Sequence, residues 1–143
     1  METRVIVANN ARARIFVSHD VLNHLAEQEA FVHTESRSPN RDLVSDATGK
    51  SRDPHESFDP ETFPTDHEAE KFALLLARRL KEIHNDLHFE QLILIAPPTF
   101  LGLLRKNLQK PLDKLVDRAI DKDLTTADTD VIIDYIRAGK KLT

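Results

Sequence analysis

"QLILIAPP", residues 91–98, is the stretch on which the fold turns. Leu92 to Ala96 run without a polar break, and Pro97 and Pro98 stop the run. A strand wetted on one face alternates apolar and polar residues, whereas an unbroken apolar run fits a strand covered on both faces. Proline cannot donate to a sheet ladder, so the strand ends at the proline pair. This segment therefore reads as a buried central strand. Such a strand needs helices to cover it, and the flanking sequence supplies them.

Upstream, Ala69, Phe72, Ala73, Leu76, Leu80, Ile83 and Leu87 recur at spacings of three and four, which makes one apolar helical stripe. Thr65 and Glu68 form a Thr-x-x-Glu capping box just after Pro64, and the helix is expected to start there. Downstream, Thr99 is expected to cap a second helix carrying Phe100, Leu101, Leu104 and Leu108, interrupted by Pro111. "LVDRAIDKDL" (115–124) is ambiguous by periodicity and is assigned a strand around Asp117–Lys122. Thr125-x-x-Asp128 reads as another capping box before a helix with Val131, Ile132, Tyr135 and Ile136 on one face. Gly139, Lys140 and Lys141 end that helix.

Toward the N-terminus, Val5–Ala8 is a second short apolar run, and Asn9-Asn10 follows as a turn. From Ala11 to Ser18 the chain alternates, with Ala11, Ala13, Ile15 and Val17 on one side and Arg12, Arg14 and Phe16 on a wetter one. A third strand is expected near Gln28–Thr34, completing an antiparallel meander. The element order is βββαβαβα. It predicts an α/β protein with a mixed sheet of about five strands and helices packed on it, the layout of ribonuclease-H-like folds.

At 143 residues the chain is expected to form one domain over 1–143, with a long polar loop at 36–64. It has no cysteine, which removes disulfides, thiol nucleophiles and cysteine zinc sites. METRVIVANN lacks the basic and apolar regions of a signal peptide. The apolar runs fall far short of the roughly 18 residues of a membrane span. No membrane insertion is expected, and the cytoplasm is the expected location. A net charge of −4 argues against bulk non-specific nucleic-acid binding.

The 36–64 loop holds four of the seven prolines, four basic and six acidic residues. Long loops of this kind in compact domains are often functional. It contains Gly49-Lys50-Ser51, the last three letters of a phosphate-binding loop, but the motif needs a glycine where Val44 stands. It also neither leaves a buried strand directly nor opens a helix at Ser51. No nucleotide P-loop is expected, and no cofactor. Two-metal nuclease chemistry needs converging carboxylates at strand ends. Here Asn9 ends the first strand and Ala96-Pro97 the fourth, so that activity is not expected.

"ANNARARIFV", "SDATGKS", "EAEKFALLLARRL", "LILIAPPTFLGLLR" and "DKDLT", in this order over nearly the whole chain, resemble the bacterial family named for a protein required for attachment to host cells. That family is similar in fold to the middle domain of archaeal and eukaryotic class I release factors and to some ribosomal proteins. The resemblance implies a connection to RNA or the ribosome. In release factors a Gly-Gly-Gln loop between the early strands and the first long helix triggers peptidyl-tRNA hydrolysis. This chain has no such motif, and its 36–64 loop has no glutamine.

The candidate binding residues fall in three groups. Arg37, Arg41, Asp42, Asp46, Gly49, Lys50 and Arg52 lie in the loop, where cations could grip phosphate and acids orient them. The plainer reading is a solvated loop of mixed charge. Arg12 and Arg14 share a strand face and could extend a basic surface, or simply belong to a wet or helix-covered face. Arg105 and Asp123 resemble family motif positions at element ends, where they could equally pair or cap. His84 and His88 have a zinc-compatible spacing, but no H-E-x-x-H is present, and they read as surface histidines at a helix C-terminus.

Two functions follow. The first is a non-catalytic binding module that meets RNA, the ribosome or a protein partner through the loop and the Arg12/Arg14 face. The second is a hydrolase acting on an aminoacyl or phosphate ester, with Asp42, Asp46, Arg37 or Lys50 contributing. No nucleophile–base pair is visible for it, and the binding module is favoured. A homodimer formed through the meander edge is compatible with the pattern.

Overall fold

The first strand sets the architecture. β1 (Thr3–Ala8) is buried along its whole length, so both of its faces must be covered. It pairs antiparallel with β2 (Arg12–Ser18), from Thr3 opposite Ser18 to Ala8 opposite Ala13. On its other side it pairs parallel with β4 (Gln91–Ile95), Val5 opposite Ile93. β3 (Ala26–Val32) lies outside β2, and β5 (Val116–Ile120) pairs parallel outside β4. The sheet is mixed, in the order β3-β2-β1-β4-β5, as the α/β reading predicts. The computed structural model describes residues 2–20, 23–33 and 62–139.

Helix α1 (Thr62–Asp86) connects β3 to β4, and α2 (Pro98–Asn107) with the short α3 (Lys110–Asp113) connects β4 to β5. Both crossovers advance the sheet in one direction, and a uniform right-handed connection then puts their helices on one face. Ala69, Phe72, Leu76, Leu80, Phe100 and Leu104 accordingly share a core with Ile6, Ile15, Leu92 and Leu94. Helix α4 (Thr129–Ala138) follows the last strand and folds onto the opposite face. There Ile132, Ile133 and Ile136 pack with Val5, Val7, Phe16, Ile93 and Ile95. Alternate residues of β1 and β4 thus enter different cores, which is why these strands look apolar throughout.

Several boundaries differ from the sequence expectation. β3 runs Ala26–Val32 rather than Gln28–Thr34. Its ladder with β2 shifts between Ile15 and Phe16, leaving Gln28 as the extra residue. The Arg12/Arg14/Phe16 face is not uniformly wet, because α4 covers it and Phe16 is fully buried.

Helix starts differ as well. α1 begins before the Thr65-x-x-Glu68 signal, so Thr65 lies inside the first turn rather than at the cap. Pro64 is tolerated there because first-turn amides have no intrahelical acceptor. Thr99 is not the cap of α2; Pro97 holds the N-cap and Pro98 the first helical position. α4 starts at Thr129 with Asp128 at the N-cap, so Thr125 lies outside the helix. Its buried stripe is Ile132, Ile133 and Ile136, while Val131 and Tyr135 are exposed.

Leu87 is not part of the α1 stripe. It lies past the last helical residue and is 57% exposed, whereas Leu76 is fully buried. Leu76→Ala is expected to cost about 2–5 kcal/mol of unfolding free energy, and Leu87→Ala no more than about 0.5 kcal/mol. Urea unfolding of both variants checks this pair of values. A large loss at Leu87 would return it to the core.

Candidate functional site

Four strands, β1, β3, β4 and β5, run parallel to one another, because only β2 is antiparallel to its neighbours. Their carboxyl ends therefore meet at one edge of the sheet. Binding crevices in open α/β sheets form at this edge, where the following loops diverge. After β4 the chain turns to the α1/α2 face, and after β5 it turns to the α4 face. A crevice of about 340 Å³ opens between them, lined by Asn9, Asn10, Ala11, Pro97, Thr99, Phe100 and Asp123.

Asn9 organises the crevice. Its Oδ1 accepts from the backbone N–H groups of Ala11 (2.8 Å) and Arg12 (2.9 Å), closing the β1–β2 turn. Its Nδ2 donates to Asp123 Oδ2 (2.9 Å) and to Thr125 Oγ1 (3.2 Å), across more than a hundred residues of chain. Thr125 in turn donates its hydroxyl (2.7 Å) and its backbone N–H (3.1 Å) to Asp123 Oδ1. One amide, one carboxylate and one hydroxyl thereby tie the β1–β2 turn to the β5–α4 connection. Burial pushes the Asp123 carboxyl upward. Hydrogen bonds from Asn9 and Thr125 and the charge of Arg12 outweigh it and hold the group below its ordinary value.

The two strand arginines separate in role. Arg14 stands over the Phe16 ring, its Cζ 4.9 Å from the ring centre. It donates through Nη1 to the carbonyls of Ala127 (2.8 Å) and Thr125 (3.3 Å) and pairs through Nη2 with Glu27 (3.0 Å). It thus fixes the β5–α4 connection from below. Arg12 is exposed just after the Asn9 turn, close enough to Asp123 to influence its titration.

Arg105 stands near the far end of α2, paired with Asp113 at 3.3 Å, and does not line the crevice. Arg37, Arg41, Asp42, Asp46, Gly49, Lys50 and Arg52 lie outside the described residues, as does the Gly49-Lys50-Ser51 segment. The histidine pair at the end of α1 has a structural setting. The His84 and His88 ring centres are 4.8 Å apart, and His84 Nδ1 accepts the Phe89 N–H at 3.2 Å. Burial and the neighbouring His88 hold the His84 imidazole toward its neutral form. His84 therefore serves as an acceptor for a backbone amide rather than as a cation at the helix end. No group of three or more metal-ligating side chains occurs among the described residues.

Asn9 and Thr125 escaped recognition in the sequence because each carries a commoner local meaning, a turn residue and a helix cap. His33 escaped as well. It stacks on Phe72, ring centres 4.7 Å apart, with Nε2 3.4 Å from Glu68 Oε1. Phe72 continues to Phe100 at 5.9 Å, so an aromatic row runs from His33 to the crevice wall. The backbone N–H of His33 donates to Ala11 (2.7 Å), which joins the end of β3 to the same turn.

A curated relative, an uncharacterized protein of Rickettsia prowazekii, is 32% identical over 81 residues, which make up 55% of this chain and 54% of that protein. The match thus spans about half the length of either. The crystal structure of the archaeal translation termination factor aRF1 aligns over 96% of this chain and 38% of its own, at 13% identity and a TM-score of 0.46. Among the described residues no helix is long and apolar enough to cross a membrane. The family described as "Protein required for attachment to host cells" matches residues 4–136, from β1 into α4 and across both faces of the sheet. The chain belongs to that family.

Proposed function

We propose that this chain is a non-catalytic binding module whose contact surface is the carboxyl edge of the sheet, and that its partner is RNA in the cytoplasm, as part of a ribosomal particle. The observation that carries the reading is the state of Asp123. Both of its oxygens are engaged by Asn9 and Thr125, and its proton affinity is lowered. A general acid or base needs a proton affinity near the working pH and a free path to the substrate. Asp123 is instead held ionised as a structural joint.

Arg12 stands exposed beside that joint, on a turn fixed by Asn9. A guanidinium on a rigid turn suits bidentate recognition of phosphate. The 36–64 segment leaves β3 and re-enters at α1, and its sequence supplies Arg37, Arg41, Lys50 and Arg52 as further phosphate contacts. Asp42, Asp46 and Gly49 would orient and space those cations. The family description speaks of attachment, an outcome of contact rather than of turnover.

Sedimentation of the tagged protein from its own lysate, at low and high salt, tests the reading. Co-migration with ribosomal particles is expected at low salt and release at high salt, since phosphate contacts release counterions. Arg12→Ala combined with Arg41→Ala and Lys50→Ala should return the protein to the top of the gradient at low salt. A peak at free-protein size under both conditions would sink the reading.

Asp123→Asn separates the joint from chemistry. It is expected to cost about 1 kcal/mol of stability, the worth of a charge-assisted hydrogen bond at an exposed site. The wild-type contribution is fully present above the ordinary aspartate value of 3.8 and fades as pH falls through the lowered folded value. Thermal melts of both proteins between neutral and strongly acid pH should therefore converge at the acid end. Curves that stay parallel would remove the joint.

A further inference from the structure

The outward face of α1 serves neither the core nor the crevice. Leu74 and Leu75, 36% and 48% exposed, stand over a groove of about 420 Å³ that reaches the half-buried Phe31 on β3. Scattered exposed leucines are ordinary, but two adjacent ones beside an aromatic ring in a groove form a patch that a partner would bury. The rest of the lining is charged, with Lys71, Arg78 and Arg79 against Glu82. Three cations to one acid reverse the balance of a chain whose net charge is −4.

Ion pairs sort these charges. Arg79 is committed: it donates through Nε to Glu29 at 2.8 Å and through Nη1 to Glu82 at 3.0 Å, which also occupies the one acid of the lining. Arg78 is exposed and makes no ion pair among the described residues. Lys71, more than half exposed, meets Glu68 at 3.4 Å, a surface contact weak enough to exchange for another. Lys71 and Arg78 are thus the cations offered to solution. They lie two turns and about 10 Å apart on one side of the helix, with the two leucines between them.

We infer that this groove docks an acidic amphipathic helix of a partner protein. Its apolar side chains seat against Leu74, Leu75 and Phe31, and two carboxylates two turns apart meet Lys71 and Arg78. Helix-in-groove recognition reads apolar anchors at this spacing, and opposite charge at the rim steers and selects the partner. A second copy turned about a two-fold axis would gather like cations at the contact. RNA would leave the leucines uncovered, since single strands stack on exposed aromatic faces and the one aromatic ring here is half-buried. An extended strand added to β3 is disfavoured by the Gln28 bulge and by the charges of Glu27 and Glu29 on that edge.

Fluorescence anisotropy with the full chain tests the inference, using a labelled alanine-rich helical peptide built around Glu-Ala-Ala-Leu-Leu-Ala-Ala-Glu. The wild type is expected to bind it about tenfold more tightly than the same peptide with lysine at both glutamate positions, and the preference should fade at high salt. Lys71→Glu combined with Arg78→Glu should reverse the preference toward the lysine peptide. Leu75→Ala should weaken both peptides, with the far-ultraviolet circular dichroism spectrum unchanged in every variant. Reversal by the double variant distinguishes this groove from any other face. Equal affinity for the two peptides, or a preference that survives the double variant, would overturn the proposal. Capture by phosphatidylglycerol vesicles without peptide binding would give the face to a membrane, and self-association abolished by the double variant would give it to a second copy; either result overturns the proposal as well. None of these outcomes bears on RNA binding, because the groove and the crevice share no lining residue.

Discussion

Burial of both faces of β1 and β4 is the constraint from which the remaining structure follows. These strands place Val5, Val7, Ile93 and Ile95 in one core and Ile6, Leu92 and Leu94 in the other. Leaving either face open would expose a row of fully buried branched side chains to water, at roughly 1.5–3 kcal/mol for each one. Helices must therefore cover both sides. The direction of the crossovers decides which helices go where: α1 and α2 are committed to one face, and among the described helices α4 covers the other. Arg118 strengthens that arrangement. It reaches from β5 to the Ile136 carbonyl at 2.6 Å, meeting the negative end of α4 with a positive charge.

What could be read in advance tracks how local the determining physics is. The apolar run at 91–98 and the α1 stripe from Ala69 to Ile83 are periodic signals, and both became the elements they suggested. Helix starts were misplaced where a capping pattern met a proline. Pro64 and Pro98 fit the first turn of a helix directly, and the nearby threonines are then not needed as caps. Leu87 continued the spacing of α1 on paper, but the helix had already ended. The Gln28 bulge, a single extra residue in an edge strand, left no periodic trace.

The crevice was legible only in fragments. Asp123 and Arg12 were singled out, but nothing local connects Asp123 with Asn9 or with Arg12. The contacts of Asp123 join residues over a hundred positions apart, and a single sequence carries no record of such pairs. Arg14 shows the same limit from the other side. Its alternation with Arg12 suggested a shared basic surface, but α4 and its preceding turn cover one arginine and leave the other open. The charge pattern was correct, while the tertiary cover decided which charge reaches water.

The parallel pairing of β1 with β4 also has a consequence for synthesis. Thr3 and Gln91, neighbours in the sheet, are 88 residues apart in the chain. At ribosomal speeds of about 5–20 residues per second, Thr3 emerges from the exit tunnel roughly 4–18 s ahead of Gln91. During that interval Val5, Ile6 and Val7 have neither β4 beside them nor helices over them. The nascent chain must carry an uncovered apolar hairpin whose open edge is β1 itself, the strand later placed deepest in the sheet.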